Sequence, residues 1–434
     1  MTSEPSLFHP SRRPYRFTIL FFVSLLTYGS YFAYDSVGAI APTLLRVLQV
    51  DRSAIGTMYT LYSVAAIISV FLGGMLIDWI GTRAASFIFA SLVVVGATIV
   101  ALAPSIFVVY VGRFIFGAGS ESLVVAQSAI LARWFKGKEL ALSFGIALTI
   151  SRLGTLFSFN TEELIAKYFG TYKAALWAAV ILCLVSLGAA AVYWLMDRHG
   201  AKALELEDAG AEDKVVLSDI KKFPRSFWYV ALLCVTFYSA IFPFTALSTD
   251  FFHDKWHIPL TVGQGGGFLY QVFYNILHMF STAGGTTTII IAASMFLAPF
   301  AGQLVDKIGK RGSLMTIGSL LMIPSFLVMA FTMLQPRYPM MLLGAAFVLV
   351  PAAMWPAVPL IVRKEMVGSA FGLITMIQNI GLALFPFLNG KLRDVTHTYT
   401  ASMLMFATLG FAGLVFAWLL KRADAREGGV LERP

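Results

Sequence analysis

The sequence is short of charge, of acidic residues and of cysteine. Asp, Glu, Lys and Arg make up 13% of the 434 residues, about half the share of a soluble domain, so most of the chain has no means of facing water. The two cysteines, Cys183 and Cys234, lie in separate apolar runs. They exclude a disulfide framework and read as small core residues. The sequence contains no H-E-x-x-H, C-x-x-C, P-loop or G-x-S-x-G pattern. Their absence removes the usual routes to metal-assisted hydrolysis, thiol redox chemistry, nucleotide-driven pumping and serine catalysis. An enzyme is therefore not expected, nor a cofactor, nor a metal. The deficit of acids leaves a net charge of +9. Its basic residues gather at the ends of apolar stretches rather than in one patch, which argues against a nucleic-acid partner.

What the sequence does have is hydrophobic length. Apolar residues make up 58% of the chain and the mean hydropathy is +0.78. At about 20 apolar residues per crossing, twelve spans can be laid out. They fall near 17–44, 54–77, 85–103, 106–133, 139–166, 171–196, 226–250, 283–305, 312–333, 338–362, 367–390 and 398–420. The polar, basic start MTSEPSLFHPSRRPYR runs straight into a long apolar stretch. It lacks the short core and small-residue cleavage site of a signal peptide, so Phe17 onward reads as a retained first span. No acidic dileucine sorting signal stands near the start, which leans towards a multi-pass protein of a bacterial inner membrane. With the N-terminus inside, and with Arg133 and Lys173 at span edges counted with the adjacent loops, 22 of the 32 Lys and Arg fall on the side of the termini, 8 on the other side and 2 within spans. Both termini are therefore expected in the cytosol.

The expected fold is an all-α membrane protein of twelve transmembrane helices in two six-helix bundles. Residues 1–196 form the first bundle, 197–225 a cytosolic linker and 226–434 the second bundle. An outer insertion at 254–282 does not fit the span pattern. Gln264 to Gly267 within it look like part of a phosphate loop, but no Gly-Lys-Ser/Thr follows. An extra full span there would invert the second half and spoil the charge count. An interfacial or re-entrant amphipathic segment is expected instead.

The halves echo each other. GMLIDWIGTR (74–83) follows span 2 and GQLVDKIGKR (302–311) follows span 8, in register at equivalent places of a six-span repeat. Gly81 and Gly309 permit a tight turn. Asp78 and Asp306 put a carboxylate at the helix ends, for pairing with basic residues or capping a neighbouring helix, and Arg83 and Arg311 add positive charge. For either copy alone, a turn with a topology signal explains these residues as well as a gate does. Two copies in register favour a gating latch.

This duplicated loop resembles the signature of the major facilitator superfamily, along nearly the whole chain. A closer resemblance is to its lysosomal dipeptide carrier branch and that branch's bacterial relatives. It is carried by YFAYDS (31–36), GRFIFGAGSESLVVAQ (112–127), WFKGKELALSFG (134–145), ISRLG (150–154), FPF (242–244), AMWPAV (353–358) and FGLITMIQNIGLA (371–383). The insertion at 254–282 is longer than that branch usually has. The resemblance implies a secondary transporter working by alternating access on a small zwitterionic solute, most readily a dipeptide.

Four ionisable residues stand out inside the first-half spans: Asp35, Arg113, Glu121 and Arg152. Burying such groups at the helix centre costs roughly 2.5–3.5 kcal/mol each, so they are expected to face water or one another. Spans 4 and 5 form a hairpin whose turn, Trp134 to Glu139, is centred midway between Glu121 and Arg152. The two therefore lie at equal depth, roughly 22 Å along their helices from the turn. The bland account is a buried ion pair that fixes packing. The functional account is a dipolar clamp, with Glu121 taking an ammonium and Arg152 a carboxylate, and the resemblance implies substrate roles for both. If transport is coupled to protons, Glu121 is the expected proton site.

The resemblance also places Tyr34 at the site. Asp35 reads equally well as a structural cap, and Arg113 divides evenly between packing and function. Trp355 lies between Pro351 and Pro356, where a broken helix would present its indole. Gln378 and Asn379 are neutral hydrogen-bonders suited to a peptide backbone, though interhelical bonding explains them as well. The expected partners are a small-molecule substrate and the lipid bilayer, with protons if coupling exists, and the chain is expected to act as a monomer. The rival function is a proton-coupled symporter for an organic anion such as a sugar acid, with Arg152 and Arg113 as the anion site. From another class, a membrane receptor or scaffold would tolerate loss of Glu121 and Arg152. A multidrug exporter fits less well, because its cavity more often pairs acidic residues with an aromatic lining and no matched arginine.

Overall fold

In the computed structural model the described residues are 9–10, 12–135, 139–204, 222–263, 265–363 and 366–433. Among them the helices run α1 (Arg13–Ala39), α2 (Ala41–Leu48), α3 (Arg52–Leu102), α4 (Ile106–Phe135), α5 (Leu140–Tyr168) and α6 (Tyr172–Leu204). The series continues with α7 (Arg225–Trp256), α8 (Phe268–Leu277), α9 (Ala283–Ile308), α10 (Arg311–Phe331), α11 (Arg337–Ile361), α12 (Val367–Thr396) and α13 (Thr400–Arg426). Helices dominate because hydrocarbon leaves a backbone no partner but itself.

Eleven of these helices are long and apolar enough to cross a membrane. The 51 residues of α3 would stretch about 77 Å as one rod, more than twice the roughly 30 Å of a bilayer core. Gly81, at φ 80° and ψ 162°, breaks it into two. Counting α3 twice gives the twelve crossings read from the sequence. The first span is shorter than expected at its far end: Ile40 leaves helical geometry, and α2 starts afresh with Pro42 near its N-terminus. Of the expected linker, residues 197–204 continue α6 and 205–221 lie outside the described residues.

The chain divides into two compact units. The first comprises Met1–Ser36, Val64–Ser158 and Lys173–Glu212; the second comprises Val37–Ser63, Phe159–Tyr172 and Asp213–Pro434. The second unit thus holds the second half of the chain together with the ends of α1, α3 and α5 that lie away from the termini.

Inside the first unit, α1 is held by glycine contacts. A Cβ on Gly154 would come 2.4 Å from the carbonyl of Tyr28, and one on Gly29 would come 2.2 Å from the carbonyl of Leu182. Small residues let helix backbones approach closely in lipid, where the hydrophobic effect cannot drive them together. Polar bonds lace the same contact. The hydroxyls of Thr27 and Ser151 lie 2.6 Å apart, and the Gln127 amide donates to the Val23 carbonyl at 2.9 Å and to Thr27 at 3.0 Å.

The insertion holds α8, a ten-residue helix too short to cross; Gln264 lies outside the described residues. Leu269, Tyr270, Phe273 and Leu277 are exposed along one stripe. On the opposite side, buried Asn275 accepts from the Val262 amide at 3.1 Å and donates to the Asn160 carbonyl of α5 at 2.5 Å.

Gly154→Ala should lower the thermal midpoint of the purified protein, because overpacking of this kind costs about 1–3 kcal/mol. Gly145→Ala, on the same helix with open space around it, should leave the midpoint unchanged.

Candidate functional site

The charged residues expected within the first bundle do converge on α1. Tyr31, Tyr34 and Asp35 share one helix face because they are spaced three and four residues apart. The Arg152 guanidinium lies 5.8 Å from the centre of the Tyr31 ring. The Tyr31 hydroxyl stands in the electrostatic field of Arg152, Glu121 and Asp35 together. Asp35 is 6% exposed; Thr155 hydrogen-bonds its carboxylate, and Arg152 and Arg113 act on it. Glu121 and Arg152 are both half-buried, and Asp35 is the more enclosed of the two acids.

Arg113 is committed to the scaffold. At 2% exposure, it donates to the carbonyls of Ala33 and Tyr34 at 3.3 and 3.4 Å. Its guanidinium lies 5.5 Å from the ring centre of Tyr34 and 5.2 Å from that of Phe116. Five fixed donors suit arginine to this work, which a lysine would not reproduce.

In the second unit, α11 stays continuous through Pro351, Pro356 and Pro359, so the expected break beside Trp355 does not occur. Neighbouring helices in a membrane bundle re-satisfy the backbone groups that proline frees. The Trp355 indole donates to the Tyr238 hydroxyl at 2.9 Å. Tyr238 in turn stacks on Phe242 at 5.7 Å, and Phe371 lies 5.9 Å from Trp355. Gln378 is half-buried, with its carbonyl 3.6 Å from the Cys234 sulfur as acceptor. Asn379 is buried and turned back on its own helix, donating to the Thr375 carbonyl at 3.1 Å. Among the described residues, no three His, Cys, Asp or Glu side chains are grouped to hold a metal ion.

The two copies of the loop motif have different partners. Gly81 and Gly309 both take positive φ, 80° and 67°, as a tight turn requires. In the first copy Arg83 reaches Asp197 of α6 at 2.6 Å, and Asp78 is exposed. Asp197, fully buried, also accepts from Arg133 at 3.0 and 3.1 Å and from the Trp134 indole at 2.7 Å. In the second copy Arg311 faces its own Asp306 at 3.8 Å. Its amide donates to the Leu431 carbonyl at 2.7 Å, and Glu432 caps α10 by accepting from the Ser313 amide and hydroxyl at 2.9 and 2.8 Å. A carboxylate at a helix N-terminus is favoured by the helix dipole.

At the end away from the termini, the second unit carries a third network. Arg52 makes a two-pronged bond to Asp250 at 2.6 and 3.3 Å, and Tyr399 donates to the same carboxylate. Asp394 accepts from the amides of Arg52 and Ser53 at 3.0 and 2.9 Å and so caps the start of α3.

Sequence reading passed over Tyr31, Tyr238, Asp197 and the buried pair Glu162–Glu163 on α5. Tyr31 was within reach, because it lies four residues before Asp35 on a helix. In the sequence Asp197 opens the polar stretch 197–225 and so reads as linker, whereas the structure keeps it in α6.

Asp197→Ala would leave the buried Arg133 guanidinium without its carboxylate. It should destabilise the protein by about 3–5 kcal/mol, read as a fall in thermal midpoint in detergent.

Comparison with known proteins fits these arrangements. The profile of the Major Facilitator Superfamily matches residues 20–279 and 266–434. The lysosomal dipeptide transporter MFSD1 of Danio rerio is 32% identical over 437 residues, covering 97% of this chain and 90% of its own length. The protein of the same name from Homo sapiens is 31% identical over 435 residues, with 97% and 89% covered. A hexuronate transporter of Escherichia coli (strain K12) is 23% identical over 433 residues, with 92% and 93% covered. Among solved structures, a bacterial homologue of the human lysosomal transporter Spinster matches with a TM-score of 0.72 at 15% identity, covering 96% of this chain and 99% of its own. At that identity the likeness is one of fold. With a family match running from residue 20 to residue 434 and relatives aligned along almost their whole length, the chain belongs to the major facilitator superfamily, and it is a secondary transporter spanning the membrane rather than an enzyme.

Proposed function

We propose that the protein carries dipeptides by alternating access across a bacterial inner membrane, as a monomer with both termini in the cytosol. The observation that carries this reading is the gathering of opposite charges around one phenol: Arg152, Glu121 and Asp35 all act on Tyr31. A dipeptide presents an ammonium and a carboxylate a few bonds apart. Glu121 takes the ammonium and Arg152 takes the carboxylate, with Tyr31 and Tyr34 as hydroxyl partners. Arg113 and Asp35 position α1 beneath them. On the second bundle Trp355 is bonded to Tyr238, Gln378 is half-buried and Asn379 serves its own helix. The relatives named as lysosomal dipeptide transporters support the substrate class.

The gate residues fit the same cycle. Asp78, Gly81 and Arg83, with Asp197, form one cytosolic latch. Asp306, Gly309 and Arg311, with the Leu431–Glu432 segment, form the other. The division into bundles at 1–196 and 226–434 follows from the duplication.

A thermal-shift screen of the purified protein against dipeptides, free amino acids, sugar acids and amines tests this reading. Dipeptides should stabilise the wild type. Glu121→Gln and Arg152→Lys should each weaken that effect by about tenfold to a hundredfold in affinity, the worth of one charge-assisted contact. A second reading, an organic-anion carrier, draws on the hexuronate transporter similarity and on two arginines acting on one region. It wins if sugar acids stabilise the protein and Glu121→Gln leaves their binding intact.

A further inference from the structure

On α5, away from the site just described, two adjacent glutamates are buried. They differ in their surroundings. Glu163 accepts a hydrogen bond from Thr43 of α2 at 2.9 Å, and Arg46 of α2 and His253 of α7 act on it electrostatically. Glu162 is fully buried, and neither carboxyl oxygen has a hydrogen-bond partner among the described residues. The charged group acting on it is Glu163, of like sign. Close by on the same helix, the Asn160 carbonyl accepts from Asn275 of α8 and the Asn160 amide donates to Thr288 of α9 at 3.4 Å, while the buried Ser158 hydroxyl, one turn before Glu162, has no hydrogen-bond partner among the described residues.

A carboxylate placed where Glu162 sits would be a dry, unpaired charge beside a second acid. Burying an isolated ion of that kind costs far more than burying a neutral polar group. The same end of the molecule is where residues 37–63 and 159–172 pack with the second half of the chain. The contacts are close: a Cβ on Gly56 would come 2.2 Å from the Pro386 carbonyl, and one on Gly284 would come 2.2 Å from the Phe159 carbonyl. Alternating access requires these contacts to part and water to enter.

We propose that Glu162 is a proton-binding site, and that its protonation is the step that lets this end of the transporter close. In the parted state the carboxylate is hydrated and charged. On closure it takes one proton from the water on that side and is buried as the neutral acid; no other bond changes. The sign follows directly. The closed form holds one more proton than the parted form, so acid favours closure and rising pH favours parting. Glu121 is thereby left to the substrate ammonium, and the coupling proton moves to a residue that the sequence reading did not consider. The inference rests on alternating access and is independent of the dipeptide assignment.

The test needs no substrate. Spin labels at Asp51 and Thr398, both exposed and outside the networks described above, report the separation of α3 from the α12–α13 connection by double electron–electron resonance. The two native cysteines are buried and stay in place. In the wild type, the ratio of parted to joined populations should rise with pH between about pH 5 and about pH 8, by up to about tenfold per unit, the limit for one linked proton. Glu162→Gln and Glu162→Leu should both remain joined and be insensitive to pH. Glu163→Gln and His253→Asn should keep the pH dependence. Two outcomes overturn the proposal: no pH dependence in the wild type, or a dependence that survives in both Glu162 variants. In proteoliposomes with an internal pH dye, an active transporter should acidify or alkalinise the lumen as substrate moves, and Glu162→Gln, held joined, should move neither substrate nor protons. Substrate movement with no pH change in the wild type also overturns the proposal, whereas failure of dipeptides to move would leave the spin-label result standing and count against the dipeptide reading alone.

Discussion

Taking a charge out of water and into a helical bundle costs several kcal/mol unless the bundle itself supplies counter-charges and hydrogen bonds. The buried ions of this transporter are arranged around that cost. Asp197 is matched by two arginines and an indole, Arg113 by two carbonyls and two aromatic faces, and Asp250 by Arg52 and Tyr399. Each match joins helices far apart in sequence, so the electrostatic solution and the tertiary structure are the same object. Glu162 is the contrast. Among the described residues it has no match, and neutralisation by a proton is the remaining way to bury it.

Much of the architecture was legible before any coordinates, because hydropathy in a membrane protein reports directly on position. Twelve crossings follow from apolar length alone, and Gly81 and Gly309 mark two turns in register. The equal depth of Glu121 and Arg152 is helix arithmetic, and the structure brings Arg152 and Glu121 to bear on one side chain, Tyr31. What sequence could not supply was the partner of each polar group. Arg83 finds Asp197, 114 positions away, and nothing local to either residue predicts it. Trp355 looked exposed by flanking prolines, yet α11 continues through them and the indole bonds to Tyr238. Glu162 was hidden for a different reason: it sits in a polar stretch, NTEELIAK, that reads as the edge of a span.

The duplication is one of backbone more than of chemistry. Both motif copies turn at glycine, but the first is tied down by a buried aspartate from the next helices and the second by the segment at Leu431–Glu432. The charges gathered around Tyr31 likewise stand on the first bundle, while the second carries the aromatic rings and amides around Trp355 and Gln378. A repeat doubled in this way keeps its hinge geometry and leaves each half free to specialise.

The short helix α8 turns Leu269, Phe273 and Leu277 outward and is stapled through Asn275 to the Asn160 carbonyl of α5, two residues before Glu162. An apolar arm of that kind seats itself at the boundary between headgroups and acyl chains. Fastened to α5, such an arm links its own depth to the helix that carries the buried acid.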